Sequence, residues 1–346
     1  MREPGCRDRI GLGRSMKTDE RNGVNTAGVS WVIPAYNEKA SIRETATRVQ
    51  RALAGTGIPH EVIVVNDGSS DGTREEAEAI SGIRVLSHPV NIGYGSAIKT
   101  GILQAQYEWI GIVDADGSYA IEEIPAVLQP MQEGYDMVIA VRANIADVDL
   151  PLKRRLRQLF LLAVRLLNDS RIQDPNSGFR VFRRQMALGL MPFLCGTFSF
   201  TTSLTVLSSG LFYFIKYVPA PYSERVGSSK VRHFRDSLRT IQYLTQGVIY
   251  FNPIKYFLLL IMMMVSSVWI PVVLLSAASH WMEAAFWLAA GTSVFLLLGL
   301  AGVADIIRIS SERAKAATVA GLRSETTCLP SGTARQTGPS GEAQDG

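Results

Sequence analysis

Two stretches late in the chain set the tightest limit on what it can fold into. Ile254–Leu275 carries no charge after Lys255, and Ala284–Val303 carries none at all. As a helix, each is long enough to cross about 30 Å of hydrocarbon. Asn252-Pro253, just ahead of the first run, is a good helix start. The link Ser276–Glu283 is short and has no Lys or Arg. Lys230, Arg232, Arg235, Arg239 and Lys255 lie on one flank of the pair, and Arg308, Arg313 and Lys315 on the other. The positive-inside rule therefore predicts a transmembrane hairpin with both ends in the cytoplasm. Buried helices of a soluble core are the alternative, and the charge asymmetry argues against them.

The remaining length suits one soluble domain of roughly 200–250 residues. With 47% hydrophobic residues among 346 and a mean hydropathy of +0.13, the chain is neither disordered nor an ordinary soluble enzyme. A net charge of +4, from 35 basic and 31 acidic residues, suits contact with an anionic bilayer better than wrapping of nucleic acid. Cys6, Cys195 and Cys328 are scattered, which points to a reducing compartment. His60, His88, His233 and His280 lack ligand-like spacing, so no zinc site is expected. Residues 1–26 have no signal-peptide core and are expected to be disordered and cytoplasmic. Residues 309–346 read as a disordered tail.

Between these limits, short apolar runs alternate with helical patterns. Val29–Ile33, Glu61–Val65, Ile83–Leu86, Trp109–Val113 and Asp136–Val141 suit buried strands. Ser41–Ala54, Thr73–Ile80, Gly95–Gln106, Glu122–Gln132 and Leu152–Asn168 suit helices. This alternation predicts an α/β fold, a mostly parallel sheet with helices on both faces, and ligands at the carboxyl ends of its strands. A third apolar stretch, Met186–Tyr217, contains turn signals. It reads as buried soluble structure, with a helix near Thr201–Ser209 and a strand at Leu211–Val218.

The unusual loops fall at those strand ends. The first strand runs into Pro34-Ala35-Tyr36-Asn37-Glu38, and the second into Asn66-Asp67-Gly68-Ser69-Ser70-Asp71-Gly72. Asp67 could hold a base or ribose through N–H and O–H donors, or serve only an Asx turn. Asp71 is read as a helix cap. The fourth strand ends in Asp114-Ala115-Asp116, two carboxylates that cannot both hide in a core uncompensated. A hard divalent cation bridging them to a diphosphate answers that need, with a solvated turn as the bland alternative. Lys153-Arg154-Arg155 opens a helix that also carries Arg157, Arg165 and many apolar residues, a composition suited to an anionic membrane surface.

Together these motifs resemble a family 2 glycosyltransferase of GT-A fold, and more narrowly the polyprenyl-phosphate transferases of the dolichol-phosphate mannose synthase type. The resemblance covers about residues 28–308. It rests on the two loops above, Asn91-Ile92-Gly93-Tyr94-Gly95, the Asp114–Asp116 pair, Asp174-Pro175-Asn176-Ser177-Gly178-Phe179-Arg180, and the run from Val218 to Lys230. It implies that Pro34, Tyr36, Glu38, Val65, Asp67, Asp114, Ala115 and Asp116 receive the nucleotide sugar, with Mg²⁺ or Mn²⁺ on Asp114 and Asp116. Arg142 and Lys153, Arg154 and Arg155 would contact donor diphosphate or lipid phosphate, as would Arg225 and Lys230. Asp116, Asp174 and Arg225 are the expected catalytic residues, Asp174 as an orienter or weak base. One position departs from the pattern: Ser118 stands where the mannose synthases often carry Gln.

The function so implied is a membrane-anchored, inverting transfer of one sugar from a nucleotide-diphosphate donor to a polyprenyl phosphate on the cytoplasmic face. Partners would be the donor, the lipid acceptor and the bilayer, with homo-oligomers left open. The expected domains are a catalytic domain over 27–230, a juxtamembrane amphipathic helix over 231–252 and two transmembrane helices over 253–308. A processive synthase would need more membrane spans and a Gln-x-x-Arg-Trp motif, and a nucleotidyltransferase a Gly-rich basic loop. A non-catalytic scaffold would not need the acidic residues.

Overall fold

The computed structural model describes residues 25–145, 151–223, 242, 244–249 and 251–326. The chain forms two compact units, one up to Leu258 and one from Leu259 onward. In the first, the elements run β1 (Asn25–Ala35), α1 (Ile42–Ala54), β2 (His60–Asn66), α2 (Thr73–Glu78), β3 (Arg84–Ser87), α3 (Tyr94–Gln104) and β4 (Tyr107–Ile112). Then come α4 (Ile124–Gln132), β5 (Met137–Arg142), α5 (Pro151–Leu167), β6 (Arg180–Arg183), α6 (Arg184–Leu190), α7 (Phe200–Gly210) and β7 (Ile215–Ala220).

The seven strands form one sheet in the order β3-β2-β1-β4-β6-β5-β7. Every pairing is parallel except those of β6, which runs antiparallel to both β4 and β5. The side-chain period of two divides the core between the faces. Trp31 and Ile33 pack with Ile42, Ala46, Val49 and Leu53 of α1 and with Val127 and Leu128 of α4. Val32, Ile110 and Ile112 pack on the other side with Ile98 and Ile102 of α3 and with Phe200 and Leu204 of α7.

The expected strands and helices are present to within a few residues. In Met186–Tyr217 the helix α7 is buried as read, but Leu211–Phe214, read as the start of a strand, form a turn with Phe212 and Phe214 exposed, and β7 begins only at Ile215. The pair β6–α6 has no counterpart in the sequence reading. Arg-Val-Phe-Arg is too short to show a period, and its first arginine looks like a surface residue. Arg180 is in fact fully buried. Its guanidinium donates to the carbonyls of Pro175, Ser177 and Thr201 and to Thr205 Oγ1.

The second apolar region comprises α8 (Pro253–Met264), a π turn at Val265–Trp269, α9 (Ile270–Ala277) and α10 (Trp281–Thr326). Pro271 in the first turn of α9 can donate no N–H to the turn before it, which accounts for the local widening. Pro253–Ala277 and Trp281–Arg308 are long and apolar enough to cross a membrane. Helix α10 continues past 308, so residues 309–326 are helical where a disordered tail is expected. Their Ala, Glu, Lys and Arg content favours that state. Strand β1 likewise begins at Asn25, inside the segment read as disordered. Of the expected juxtamembrane helix, residues 242 and 244–249 are helical, and 231–241 lie outside the described residues, as do 1–24 and 327–346.

Candidate active site

The carboxyl ends of β1, β2, β4 and β5 share one edge of the sheet, and the loops leaving them are bonded to one another. Asn37 adopts φ +53°, a left-handed conformation that asparagine tolerates. Its N–H donates to Ser69 Oγ (3.0 Å) and its Oδ1 accepts from Ser70 N–H (2.9 Å). Glu38 N–H donates to Thr73 Oγ1 (2.8 Å) and Lys39 N–H to Asp71 (3.1 Å). Asp71 also accepts Thr73 N–H, the first of α2 (3.0 Å), from the position before the N-cap, which is Gly72 rather than Asp71 as the sequence suggests. Pro34 lies in register with Val65, so the Pro34–Glu38 loop adjoins the one that begins at Asp67.

Asp67 is buried, and its carboxylate is well occupied. It accepts the N–H groups of Ile92 (3.0 Å) and Gly93 (2.8 Å), and His88 Nδ1 lies 2.8 Å from Oδ1. A carboxylate offers about four lone-pair positions. Three contacts therefore make Asp67 chiefly the clamp that shapes the Asn91–Gly95 loop.

That loop starts α3, whose first residue reaches the acidic pair. Tyr94 Oη–H donates to Asp114 Oδ1 (2.7 Å), and burial together with the Asp114 charge keeps the phenol protonated. Asp116 is buried and accepts both Ser118 N–H (3.1 Å) and Ser118 Oγ–H (2.6 Å). Ala115 is fixed to α1, its carbonyl accepting Thr45 Oγ1–H (3.2 Å). Gly178 passes so close that a Cβ there would fall 2.4 Å from Asp114 Oδ2. Among the described residues no three His, Cys, Asp or Glu side chains gather as a metal cluster. Two carboxylates at a sheet edge are instead the partial donor set that Mg²⁺ or Mn²⁺ takes when phosphate oxygens and water complete its shell. The residues fit that group.

Arg142, at the end of β5, forms a two-point ion pair with Asp174. Nε lies 2.8 Å from Oδ2 and Nη2 2.7 Å from Oδ1, with side chains only 9% and 13% exposed. Burial opposes the charge on both. On Arg142, Tyr119 and Asp174 outweigh it and raise the pKa; on Asp174, the Arg142 hydrogen bonds and charge outweigh it and lower the pKa. The guanidinium also stands 5.4 Å from the Tyr222 ring centroid. Tyr119 Oη accepts Gly178 N–H (2.7 Å), and Ser223 N–H donates to Ser118 O (2.8 Å). The β7 exit is thereby laced to the acidic turn.

Beside the pair lies a cleft of ≈ 120 Å³ whose walls include Arg142, Arg157, Asp174, Asn176, Phe160 and Leu161. Arg154 and Arg155 are exposed, whereas Arg157 is half-buried and lines this cleft. Arg157 was legible only as one more basic residue of α5. Arg225 and Lys230 lie outside the described residues, as does the side chain of Lys153.

A family profile described as "Glycosyl transferase family 2" matches residues 30–201. A dolichyl-phosphate beta-glucosyltransferase of Trichomonas vaginalis is 30% identical over 242 residues, covering 64% of this chain and 71% of that protein. An undecaprenyl-phosphate 4-deoxy-4-formamido-L-arabinose transferase of Pseudomonas paraeruginosa is 30% identical over 213 residues, covering 60% and 61%. Two crystal structures of glucosyl-3-phosphoglycerate synthase from Mycobacterium tuberculosis share the fold. One is a complex with UDP (TM-score 0.52, 20% identity), the other with Mn²⁺, UDP and glucosyl-3-phosphoglycerate (TM-score 0.51, 21% identity). Each match covers 64% of this chain and 80% of the synthase.

Proposed function

Since the chain belongs to glycosyl transferase family 2, and is therefore a glycosyltransferase, we propose that it moves one sugar from a nucleotide-diphosphate donor to a polyprenyl phosphate at a membrane. The observation that carries this reading is the cleft beside Arg142 and Asp174. It sets two guanidinium groups against apolar walls of Phe160 and Leu161, a combination suited to a phosphate on a hydrocarbon chain. The two relatives named for dolichyl-phosphate and undecaprenyl-phosphate transfer support it.

In this reading the loops at Pro34–Glu38 and Val65–Asp67 receive the nucleotide, with Asp67 holding the Asn91–Gly95 loop in shape. Asp114 and Asp116 would hold Mg²⁺ or Mn²⁺, which when bound neutralises charge on the leaving diphosphate. Ser118 orients Asp116. Arg142 and Arg157 receive the acceptor phosphate; Arg225 and Lys230, expected from the sequence to contact phosphate as well, lie outside the described residues. The acceptor oxygen attacks the anomeric carbon, the carbon–oxygen bond to the diphosphate breaks, and the nucleoside diphosphate leaves, with inversion. A phosphate monoester is largely dianionic at neutral pH, its second pKa being about 6, so no base need deprotonate it. Asp174, with its lowered pKa, is assigned to positioning Arg142. The apolar helices anchor the enzyme, with the catalytic unit and both ends of the hairpin on the cytoplasmic side.

The test incubates membranes containing the full chain with a panel of nucleotide sugars and a polyprenyl phosphate, and weighs the lipid products. A lipid heavier by one sugar is expected with one donor. Consumption of a donor with no glycosylated lipid, across the panel, would overturn the acceptor assignment.

A further inference from the structure

The turn between α7 and β7 is unusual in conformation, exposure and place. Phe212 and Phe214 are 83% and 69% exposed, while Tyr213 between them packs against the core. Phe212 adopts φ +61°, a left-handed conformation that is a genuine outlier for a bulky residue. It follows the end of α7, where glycine usually takes that conformation.

The turn is also rigid. Leu211 N–H donates to Leu207 O, Phe212 N–H to Ser209 O and Tyr213 N–H to Ser208 O, each at 3.1 Å. Phe214 N–H donates to Asp136 Oδ2 (3.0 Å), and Phe214 O accepts the N–H groups of Asp136 (2.9 Å) and Met137 (3.2 Å). Strain of this kind persists only where the surroundings over-determine it. Here they fix two aromatic rings outward.

Three chain segments converge beside the turn. Gly210 lies against Phe251, where a Cβ would fall 2.2 Å from the ring, and Phe251 is two residues before the start of α8. Ser209 Oγ–H donates to Asp169, just past α5, and Lys255 in the first turn of α8 donates to Leu166 O at the end of α5. Exposed apolar side chains surround this junction: Leu162, Leu166, Leu211, Ile254 and Leu258, besides the two phenylalanines.

We infer that Phe212 and Phe214 form an aromatic tip seated in the headgroup–acyl boundary of the bilayer that α8 enters. The inference rests on the membrane-anchored reading above. A bilayer is the occupant because the exposed patch is continuous with the first turn of a helix long and apolar enough to cross one. Aromatic side chains concentrate at that boundary. The turn's N–H groups are already bonded, so entry leaves none of them unsatisfied. Asp136, Arg183 and Lys216 lie just behind it and limit its depth to the boundary. The tip would fix the roll of the catalytic unit about its anchor.

The test places a spin label in the full chain, with Cys6 and Cys328 replaced by Ser and buried Cys195 retained. Separate variants Phe212→Cys, Phe214→Cys, Leu296→Cys and Glu78→Cys are reconstituted into nanodiscs containing phosphatidylglycerol. Collision rates with oxygen and with a water-soluble nickel chelate report depth. Labels at 212 and 214 are expected to show several-fold less nickel contact than the label at 78, approaching the label at 296. If 212 and 214 match 78 while 296 is shielded, the tip is in water and the inference fails alone. If 296 also matches 78, the anchored reading fails with it. Spin–spin broadening at 212 that disappears on dilution with unlabelled protein would assign the patch to a second copy and overturn the inference.

Discussion

Arg142 and Asp174 form a largely buried, two-point ion pair in which each depends on the other. Arg142→Ala leaves a largely buried carboxylate without its partner, and the expected loss is about 3–5 kcal/mol of stability, read as a lowered unfolding midpoint in detergent. The pH dependence has a definite sign. Asp174 titrates below its ordinary value of 3.8, so the pair's contribution is complete above that value and is lost as pH falls through the lower folded one. The acid limb of transfer should therefore follow the acceptor phosphate near pH 6 and stay in place in Asp174→Asn, whatever that variant's residual rate. A limb that moves with the substitution would make Asp174 a base. Ser118→Ala removes the 2.6 Å bond that orients Asp116, and the Mn²⁺ concentration for half-maximal transfer should rise about 10-fold or more. An unchanged metal requirement would show that Ser118 only shapes the turn. The acidic pair was legible because two carboxylates after a buried strand demand an explanation. The Arg142–Asp174 bond was not, because its partners are 32 residues apart and nothing local couples them.

Helix α5 shows how far periodicity reaches. Its basic, apolar character was plain from sequence, yet among the described side chains of the helix the arginine that lines the cleft is Arg157, while Arg154 and Arg155 are exposed. A helix rotates 100° per residue, so which of several arginines faces inward is decided by what the helix packs on. Val164, Ile172, Val206 and Leu244 make that packing, with Phe160 and Leu161 against it. Arg157→Ala should raise the KM for polyprenyl phosphate about 10-fold, with the KM for donor little changed, whereas Arg155→Ala should alter neither in detergent. Equal effects of the two would favour a diffuse basic surface over a defined phosphate site. Strand β6 escaped sequence reading for a related reason. Its buried Arg180 is satisfied by carbonyls of the Pro175–Ser177 loop and of Thr201 in α7, which only the folded chain brings together.

At the scale of the whole molecule, the hairpin makes the simplest prediction. Ser279, at φ +66° in the turn between α9 and α10, should accept a tag that external reagents label in intact cells, while a reporter fused after Thr326 stays cytoplasmic. A tag at Ser279 protected from outside would count against the span pair. The alternation of strands and helices gave the α/β class, because each element buries a face that its own sequence displays. Strand order was not displayed, since the pairing of β4 with β6 joins residues 107–112 to 180–183 across the intervening β5. That detour has a consequence for synthesis. As the chain emerges from the ribosome, β1 to β4 can pair early, but β5 has no seat until β6 arrives to stand between it and β4. During that interval β4 presents an open edge and β5 an apolar strand without a partner, a combination prone to mispairing. Four residues, Arg180 to Arg183, close the gap before the first long apolar run, Pro253–Ala277, is translated.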